Sequence, residues 1–172
     1  LKLGDPTAKN AGRLTLNPLK HIDTFGTILL PLLLVLIRSP FVIGWAKPVP
    51  VNPYNFRDQR WGALKVSIAG PAANFLLAII FGLAIRFIPL PETFKFLFGL
   101  IVIYNFVLAL FNLIPIPPFD GSHILFSVLP ARFNSLKLFL SQYGLYLLLA
   151  LMFLGALNLV FQAASFLYYL II

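Results

Sequence analysis

The proline-rich stretch at residues 112–121 constrains this chain more than any other part of its sequence. It follows the uncharged residues 96–113, and it contains three prolines ahead of Asp120 and Gly121. Each proline lacks a backbone donor, so an α-helix cannot continue through them unbroken. Irregular backbone at membrane depth is tolerated only where it is buried in protein or lines a wet cavity. We therefore predict a proline-broken helix that holds Asp120 in a partly polar pocket, with a solvated juxtamembrane loop as the alternative.

The composition is that of a membrane protein. The chain is 60% hydrophobic and only 10% charged, whereas soluble domains carry about 25% charged residues. The net charge of +8 does not indicate a nucleic-acid partner, because the basic residues lie in short segments between apolar runs, where they orient the chain in a bilayer. With no cysteine in the chain, thiolate metal sites are excluded. We expect a multi-pass protein of the cell membrane.

Uncharged runs mark the predicted membrane-spanning helices. Residues 66–85, 96–114 and 138–172 carry no charge, and about 20 apolar residues are enough for a helix to cross the hydrocarbon core. The last run is too long for one crossing, so it either folds back near residues 155–158 or continues as one long bent helix. We predict an all-α fold, a polytopic membrane helical bundle in which residues 1–172 form a single domain.

A shorter apolar stretch, residues 24–43, is predicted to enter and leave the membrane on one face. It is interrupted by Pro31, and its flanks are basic, with Lys20 before it and Lys47 after it. Its uncharged part, Phe25 to Ile37, is only about 13 residues long and is closed by Arg38, and apolar runs of that length are more often re-entrant or interfacial than spanning. Because positive flanks favour the cytoplasmic side, both ends belong together, as in a re-entrant segment or helical hairpin.

The next stretch, residues 44–54, cannot be a helix because it is rich in proline, and prolines bias the preceding residues toward extended conformations. One interpretation is a stiff linker at the membrane interface. The other is an exposed edge at Pro48, Val49, Pro50 and Val51, beside which a substrate segment pairs by strand addition.

Four segments, taken in order, carry a resemblance to a known family. They are Leu3-Gly4-Asp5, residues 44–53, Gly70-Pro71-Ala72-Ala73-Asn74, and the pattern Asn-x-x-Pro-x-Pro-Pro-x-Asp-Gly at residues 112–121. Together they resemble the site-2 protease family of intramembrane zinc metalloproteases, and the chain looks most similar to the small bacterial and archaeal members.

The resemblance implies a catalytic Zn²⁺ ion and assigns Asp120 as its third protein ligand. In the family, a helix with His-Glu-x-x-His precedes the first of these segments and supplies two ligands and the general base. No such motif occurs in these 172 residues. We therefore expect that the sequence starts after that helix and that the 172 residues as written do not hydrolyse peptides.

Two asparagines and a histidine complete the set of candidate site residues. The resemblance makes Asn112 a catalytic donor to the oxyanion or to the substrate backbone, while the residues alone equally allow a helix-terminating role. Asn74, expected in the first turn of the helix at residues 66–85, either binds substrate or bridges to the helix that carries the aspartate. His123 follows Asp120 by three residues, and we expect it beside the site or at the interface rather than as a ligand.

The function that the resemblance implies is cleavage of transmembrane or membrane-anchored proteins, as in regulated intramembrane proteolysis. One alternative is an inactive pseudoprotease, a scaffold that binds transmembrane helices without cutting them. Another is a small transporter, because broken helices with a buried acid also form ion sites. Against transport, the sequence shows no internal repeat.

Overall fold

The structure, a computed structural model, describes residues 3–15, 17–39, 42 and 44–172, without the side chains of residues 59 and 60. The chain forms two compact units, Leu1–Gln59 and Arg60–Ile172. Helices and turns make up all the regular secondary structure of the described residues, which contain no strand. The predicted all-α class is therefore confirmed.

The first unit is built from short helical segments. They are α1 (Thr7–Asn10), a 3₁₀ turn (Pro18–His21), a π-helical turn (Thr24–Leu29) that leads into α2 (Leu30–Leu36), and a second 3₁₀ turn (Pro53–Asn55). Asp23 caps the apolar helix, since its side chain accepts a hydrogen bond from the Gly26 amide at 2.7 Å. Pro31 falls in the first turn of α2, where its missing amide proton costs least.

The two ends of this apolar segment lie beside each other. The Trp45 amide donates to the Gly26 carbonyl at 3.1 Å, and the Lys47 amide donates to the His21 carbonyl at 2.9 Å. The Thr27 hydroxyl donates to the Trp45 carbonyl at 2.7 Å. Gly26 allows the indole ring of Trp45 to lie on its backbone, because a Cβ there would overlap the ring.

These hydrogen bonds close a hairpin around the stretch predicted to be re-entrant at residues 24–43. Of that stretch, residues 40, 41 and 43 lie outside the described part of the chain. The hairpin brings together the two basic flanks of the segment, as the prediction requires. Its insertion into a membrane stays a prediction.

The second unit contains five α-helices and one 3₁₀ turn. They are α3 (Gln59–Phe87), α4 (Glu92–Asn112), α5 (Asp120–Val128), the 3₁₀ turn (Ala131–Phe133), α6 (Asn134–Phe153) and α7 (Ala156–Ile171). Among the described residues, three segments are long and apolar enough to cross a membrane, namely Trp61–Phe87, Glu92–Asn112 and Ala131–Phe153. Many large apolar side chains on these helices are exposed, which suits contact with lipid rather than water. The fold is consistent with the predicted membrane helical bundle.

The position predicted for Asn74, the first turn of its helix, is wrong. α3 begins at Gln59, about four turns before Asn74, and Pro71 lies within the helix. The expectation failed because the first turns of α3 contain charged residues such as Lys65, whereas the prediction began the helix where the charges end. Pro71 is fully buried, so its packing offsets the helical hydrogen bond that it removes.

α4 packs against α7 at the centre of the second unit. The buried residues of this core are Ala78, Val102, Phe106, Val107 and Ala164. Small residues allow the helices to approach closely, as is common in membrane bundles. At Gly82, a Cβ would lie 2.6 Å from a methyl group of Ile171.

The uncharged run at residues 138–172 is divided by a helix break. α6 ends at Phe153 and α7 begins at Ala156. Between them Gly155 has a φ of 88°, a left-handed conformation that glycine adopts without steric cost. Of the two alternatives, a break near residues 155–158 is present and one continuous bent helix is not.

Candidate metal and substrate site

Asp120 is the first residue of α5 and lies against α3. α4 stops at Asn112 and α5 starts at Asp120, so the predicted break in the helix is present, and the Pro117–Pro118 bond within it is cis. The Oδ2 atom of Asp120 lies 3.1 Å from the point that a Cβ on Gly70 would occupy. Glycine at this position of α3 therefore leaves room for the carboxylate.

Gly121 allows the turn before α5 to close tightly. A Cβ at Gly121 would lie 2.5 Å from the carbonyl oxygen of Ile114 and closer still to that of Leu113. Both obstacles are backbone atoms, which cannot turn aside as a side chain can. The buried Ser122 donates its hydroxyl to the Phe119 carbonyl at 2.7 Å. The backbone of the proline turn thus approaches the start of α5 closely at Gly121.

Two residues of α6 that sequence reasoning missed support the same segment. A Cβ at Gly144 would lie 2.9 Å from the carbonyl oxygen of Pro117, so α6 touches the proline turn. The Lys137 ammonium donates to the carbonyls of Phe126 at 2.8 Å and Leu129 at 3.0 Å, at the end of α5. A sequence signal existed for each, since Gly144 is a lone glycine in α6 and Lys137 is the last charge before a long apolar run.

Asn74 and Asn112 are each near a residue that contacts the segment around Asp120. Asn74 is one helical turn beyond Gly70, on the same side of α3. Asn112 precedes Leu113, whose carbonyl approaches Gly121. Both asparagines are half-buried. Within the described part of the chain, neither side chain has a hydrogen-bond partner.

The described residues do not by themselves make a zinc site. Nowhere among them do three His, Cys, Asp or Glu side chains come together, and a catalytic zinc takes three protein ligands. His123 lies one turn beyond Asp120 and is exposed. The role of Asp120 as a metal ligand stays a prediction, and it would need partners beyond the described residues.

A second polar cluster, centred on Asp5, lies in the first unit. The Asp5 carboxylate accepts hydrogen bonds from the Thr7 hydroxyl, from the Thr7 amide at 3.0 Å, from the Asn52 amide at 2.9 Å and from Asn55 Nδ2 at 3.0 Å. These bonds, led by that of the Thr7 hydroxyl, hold the pKa of Asp5 well below the ordinary carboxyl value. Sequence reasoning noted Asp5 only as part of a family motif and gave it no role.

Of the stretch predicted to be non-helical, residues 44–54, the structure leaves residues 44–52 outside any helix, whereas Pro53 and Tyr54 fall in the 3₁₀ turn Pro53–Asn55. Pro48 and Pro50 have no amide proton to donate. Among the described residues, none pairs with the backbone amides of Val49 and Val51. Their side chains are 44% and 45% exposed. The edge is therefore open at these two valines.

Comparison with known proteins identifies the family. A family model described as Peptidase family M50 matches residues 89–155, which include α4, the proline turn and α5. YwhC of Bacillus subtilis (strain 168), which carries the provisional name of a zinc metalloprotease, is 39% identical over 160 residues, 87% of this chain and 69% of that protein. The chain belongs to the site-2 protease family.

Two more relatives of this member of the site-2 protease family are named as zinc metalloproteases, and one of the two names is provisional. Rip2 of Mycolicibacterium smegmatis, the provisional one, is 31% identical over 122 residues, 70% of this chain and 46% of that protein. MJ0392 of Methanocaldococcus jannaschii is 30% identical over 91 residues, 52% of this chain and 27% of that protein. The chain thus spans less than half of these two relatives. No solved structure matches it.

Proposed function

We propose that this chain is the Asp120-bearing and substrate-binding part of an intramembrane zinc metalloendopeptidase. Its substrates are transmembrane or membrane-anchored proteins, and it is a multi-pass protein of the cell membrane. The observation that carries the proposal is the place of Asp120, at the start of α5 and against Gly70 of α3. α3 and α4 are both long and apolar enough to cross a membrane. An acid beside such helices is costly, and a functional cation compensates its charge.

Family membership supports a metalloprotease, and the proposal makes Asp120 one of three protein ligands of a catalytic zinc. The ion, when bound, would activate a water molecule and polarise the scissile carbonyl. The other two ligands and the general base are taken from outside these 172 residues, which contain no His-Glu-x-x-His. His123 stays outside the ligand set because it is exposed.

The two half-buried asparagines are proposed to hold the substrate. Asn112 lacks a partner within the described part of the chain, so its amide is available to donate to the carbonyl oxygen that gains charge during cleavage. Asn74, one turn from Gly70 on α3, is proposed to donate to the substrate backbone. Within the described part of the chain, neither amide has a hydrogen bond that must break for this.

The extended segment is proposed to bind the substrate backbone. A peptide bond inside a helix is shielded by the hydrogen bonds of that helix, so a transmembrane substrate must unwind before it is cut. An unwound strand can pair with the open amides of Val49 and Val51 by strand addition. Pro48 and Pro50 keep this edge extended, which lowers the ordering cost of binding.

The function can be tested with the purified full-length protein in liposomes that contain a single-span substrate protein. We expect cleavage within or beside the span, loss of cleavage after zinc is removed by a chelator, and recovery when zinc is returned. Binding of the span without any cleavage would instead support the scaffold. Asp120-dependent ion flux in vesicles without added zinc would support the transporter.

We also propose that the hairpin at residues 24–43 inserts into the membrane and returns to the same face. Cysteines placed at Lys20 and Lys47 are expected to react with an impermeant maleimide from one side only, because the Lys47 amide is bonded to the carbonyl of His21. As a matched control, cysteines at Lys65 and Arg86, near opposite ends of α3, should react from opposite sides. Labelling of the first pair from opposite faces would contradict the hairpin.

A further inference from the structure

The Asp5 carboxylate joins two stretches of the first unit that are far apart in the chain. Two of its donors, the Asn52 amide and the Asn55 side chain, lie 47 and 50 residues away. The same two stretches are joined by the Arg57 amide, which donates to the Leu3 carbonyl at 3.0 Å. Asp5 as a residue is 8% exposed, so water competes little for these bonds.

Asn52 is the last residue of the extended segment before the 3₁₀ turn at Pro53–Asn55. The other end of that segment is fixed at Trp45 and Lys47 by hydrogen bonds to the hairpin. Between these two fixed ends lie Val49 and Val51, with their amides unpaired among the described residues. The segment is thus attached by hydrogen bonds at both ends, and the two amides between them are open.

We propose that Asp5 is a positioning residue for substrate binding, which fixes the extended segment at Asn52 so that the amides of Val49 and Val51 stay presented to a substrate strand. The proposal rests on the function proposed above for residues 48–51. Asp5 acts only through Asn52 and does not touch the substrate. Its contribution is therefore expected in binding rather than in the chemical step.

The geometry at Asp5 requires a group that only accepts hydrogen bonds. One carboxylate oxygen receives both bonds from Thr7 and the bond from Asn55, and the other receives the Asn52 amide. An ionised carboxylate can accept at all these positions. An asparagine at this position would turn an NH₂ group toward at least one of the donors, so part of the network must break.

The test uses the full-length protein in nanodiscs and a single-span peptide with one mid-span proline as the binding probe. Asp5→Asn is expected to raise the Kd of the peptide about tenfold, since hydrogen bonds to a charged group are lost. In cleavage assays KM should rise by a similar factor while kcat changes little.

A double variant, Asp5→Asn with Asn55→Asp, tests whether the network can be rebuilt. It places a carboxylate at residue 55, facing the new NH₂ group at residue 5, and should recover most of the affinity for the peptide. Thr7→Val is the control: it removes the hydroxyl that bonds both Asp5 and the Asn55 side chain but leaves the bond from the Asn52 amide to Asp5, so the Kd should rise much less than in Asp5→Asn.

Hydrogen exchange separates positioning from a general loss of folding. In Asp5→Asn, the Asn52 amide should exchange faster while the amides of α4 keep their protection. Unchanged peptide affinity, or a fall in kcat without a rise in KM, would overturn the role of Asp5, as would failure of the double variant to recover binding. The binding measurement needs no catalysis, so absence of cleavage by the wild-type protein would count against the protease and not against the Asp5 anchor.

Discussion

Asp120→Ala in the full-length protein is expected to abolish both bound zinc and cleavage, with a fall in kcat/KM of about a thousandfold or more. The carboxylate lies at the start of α5, against the backbone of α3 at Gly70. In the proposed site, loss of one of three protein ligands would remove both metal affinity and the activated water. Zinc content can be measured by elemental analysis of the purified protein, and cleavage with the single-span substrate in liposomes.

Two further variants sharpen this prediction. Asp120→Asn keeps the size of the side chain but removes its charge, so the same losses are expected if Asp120 is a ligand, and near-normal zinc if it is structural. His123→Ala is the matched control, because His123 lies one turn away on the same short helix and is exposed. It should keep zinc and most of the activity. Cleavage retained in Asp120→Ala would end the assignment of Asp120 to the metal.

The second large effect is expected when both valines of the open edge become proline. Val49→Pro combined with Val51→Pro removes two amide protons that are unpaired among the described residues, in a segment that is not helical and already contains two prolines. We expect cleavage to fall about a hundredfold, from the loss of two backbone hydrogen bonds to the substrate. Zinc content should not change. The measurement is the cleavage rate of the single-span substrate alongside metal analysis.

The matched control replaces the same two valines with alanine. The alanine variant loses the exposed side chains of Val49 and Val51 but keeps both amide protons. If the segment binds substrate through its backbone, the alanine variant should cleave much faster than the proline variant. Equal loss in the two variants would assign the effect to the valine side chains, and loss of zinc in the proline variant would make the segment structural.

Local chemistry explains which parts of the fold were predictable. The three prolines before Asp120 forbid a continuous helix, and the structure ends α4 and starts α5 around them. Gly155 breaks the last uncharged run in a conformation that favours glycine. The start of α3 was missed because a helix can begin outside the apolar run. An uncharged run indicates which part of a helix can lie in the hydrocarbon core, but it does not indicate where the helix begins or ends.

Contacts between distant residues explain what the sequence did not reveal about the site. The partners of Asp5 lie 47 and 50 residues away, so nothing in its neighbourhood distinguishes it from an acid in a solvated loop. The support that Lys137 and Gly144 give to the segment around Asp120 likewise depends on how α6 packs. The catalytic role of Asn112 and the substrate-binding roles of Asn74 and residues 48–51 stay predictions.

The contacts of α6 have a mechanical consequence for the proposed metal ligand. The prolines deprive the turn before Asp120 of part of its own backbone hydrogen bonding. α6 contacts this turn at Gly144 and donates hydrogen bonds to the end of α5 through Lys137. These two positions lie about two turns apart on one face of α6. α6 thus supports the turn and α5 from outside. The direction of the Asp120 carboxylate is set by packing against α6 rather than by the turn that carries Asp120.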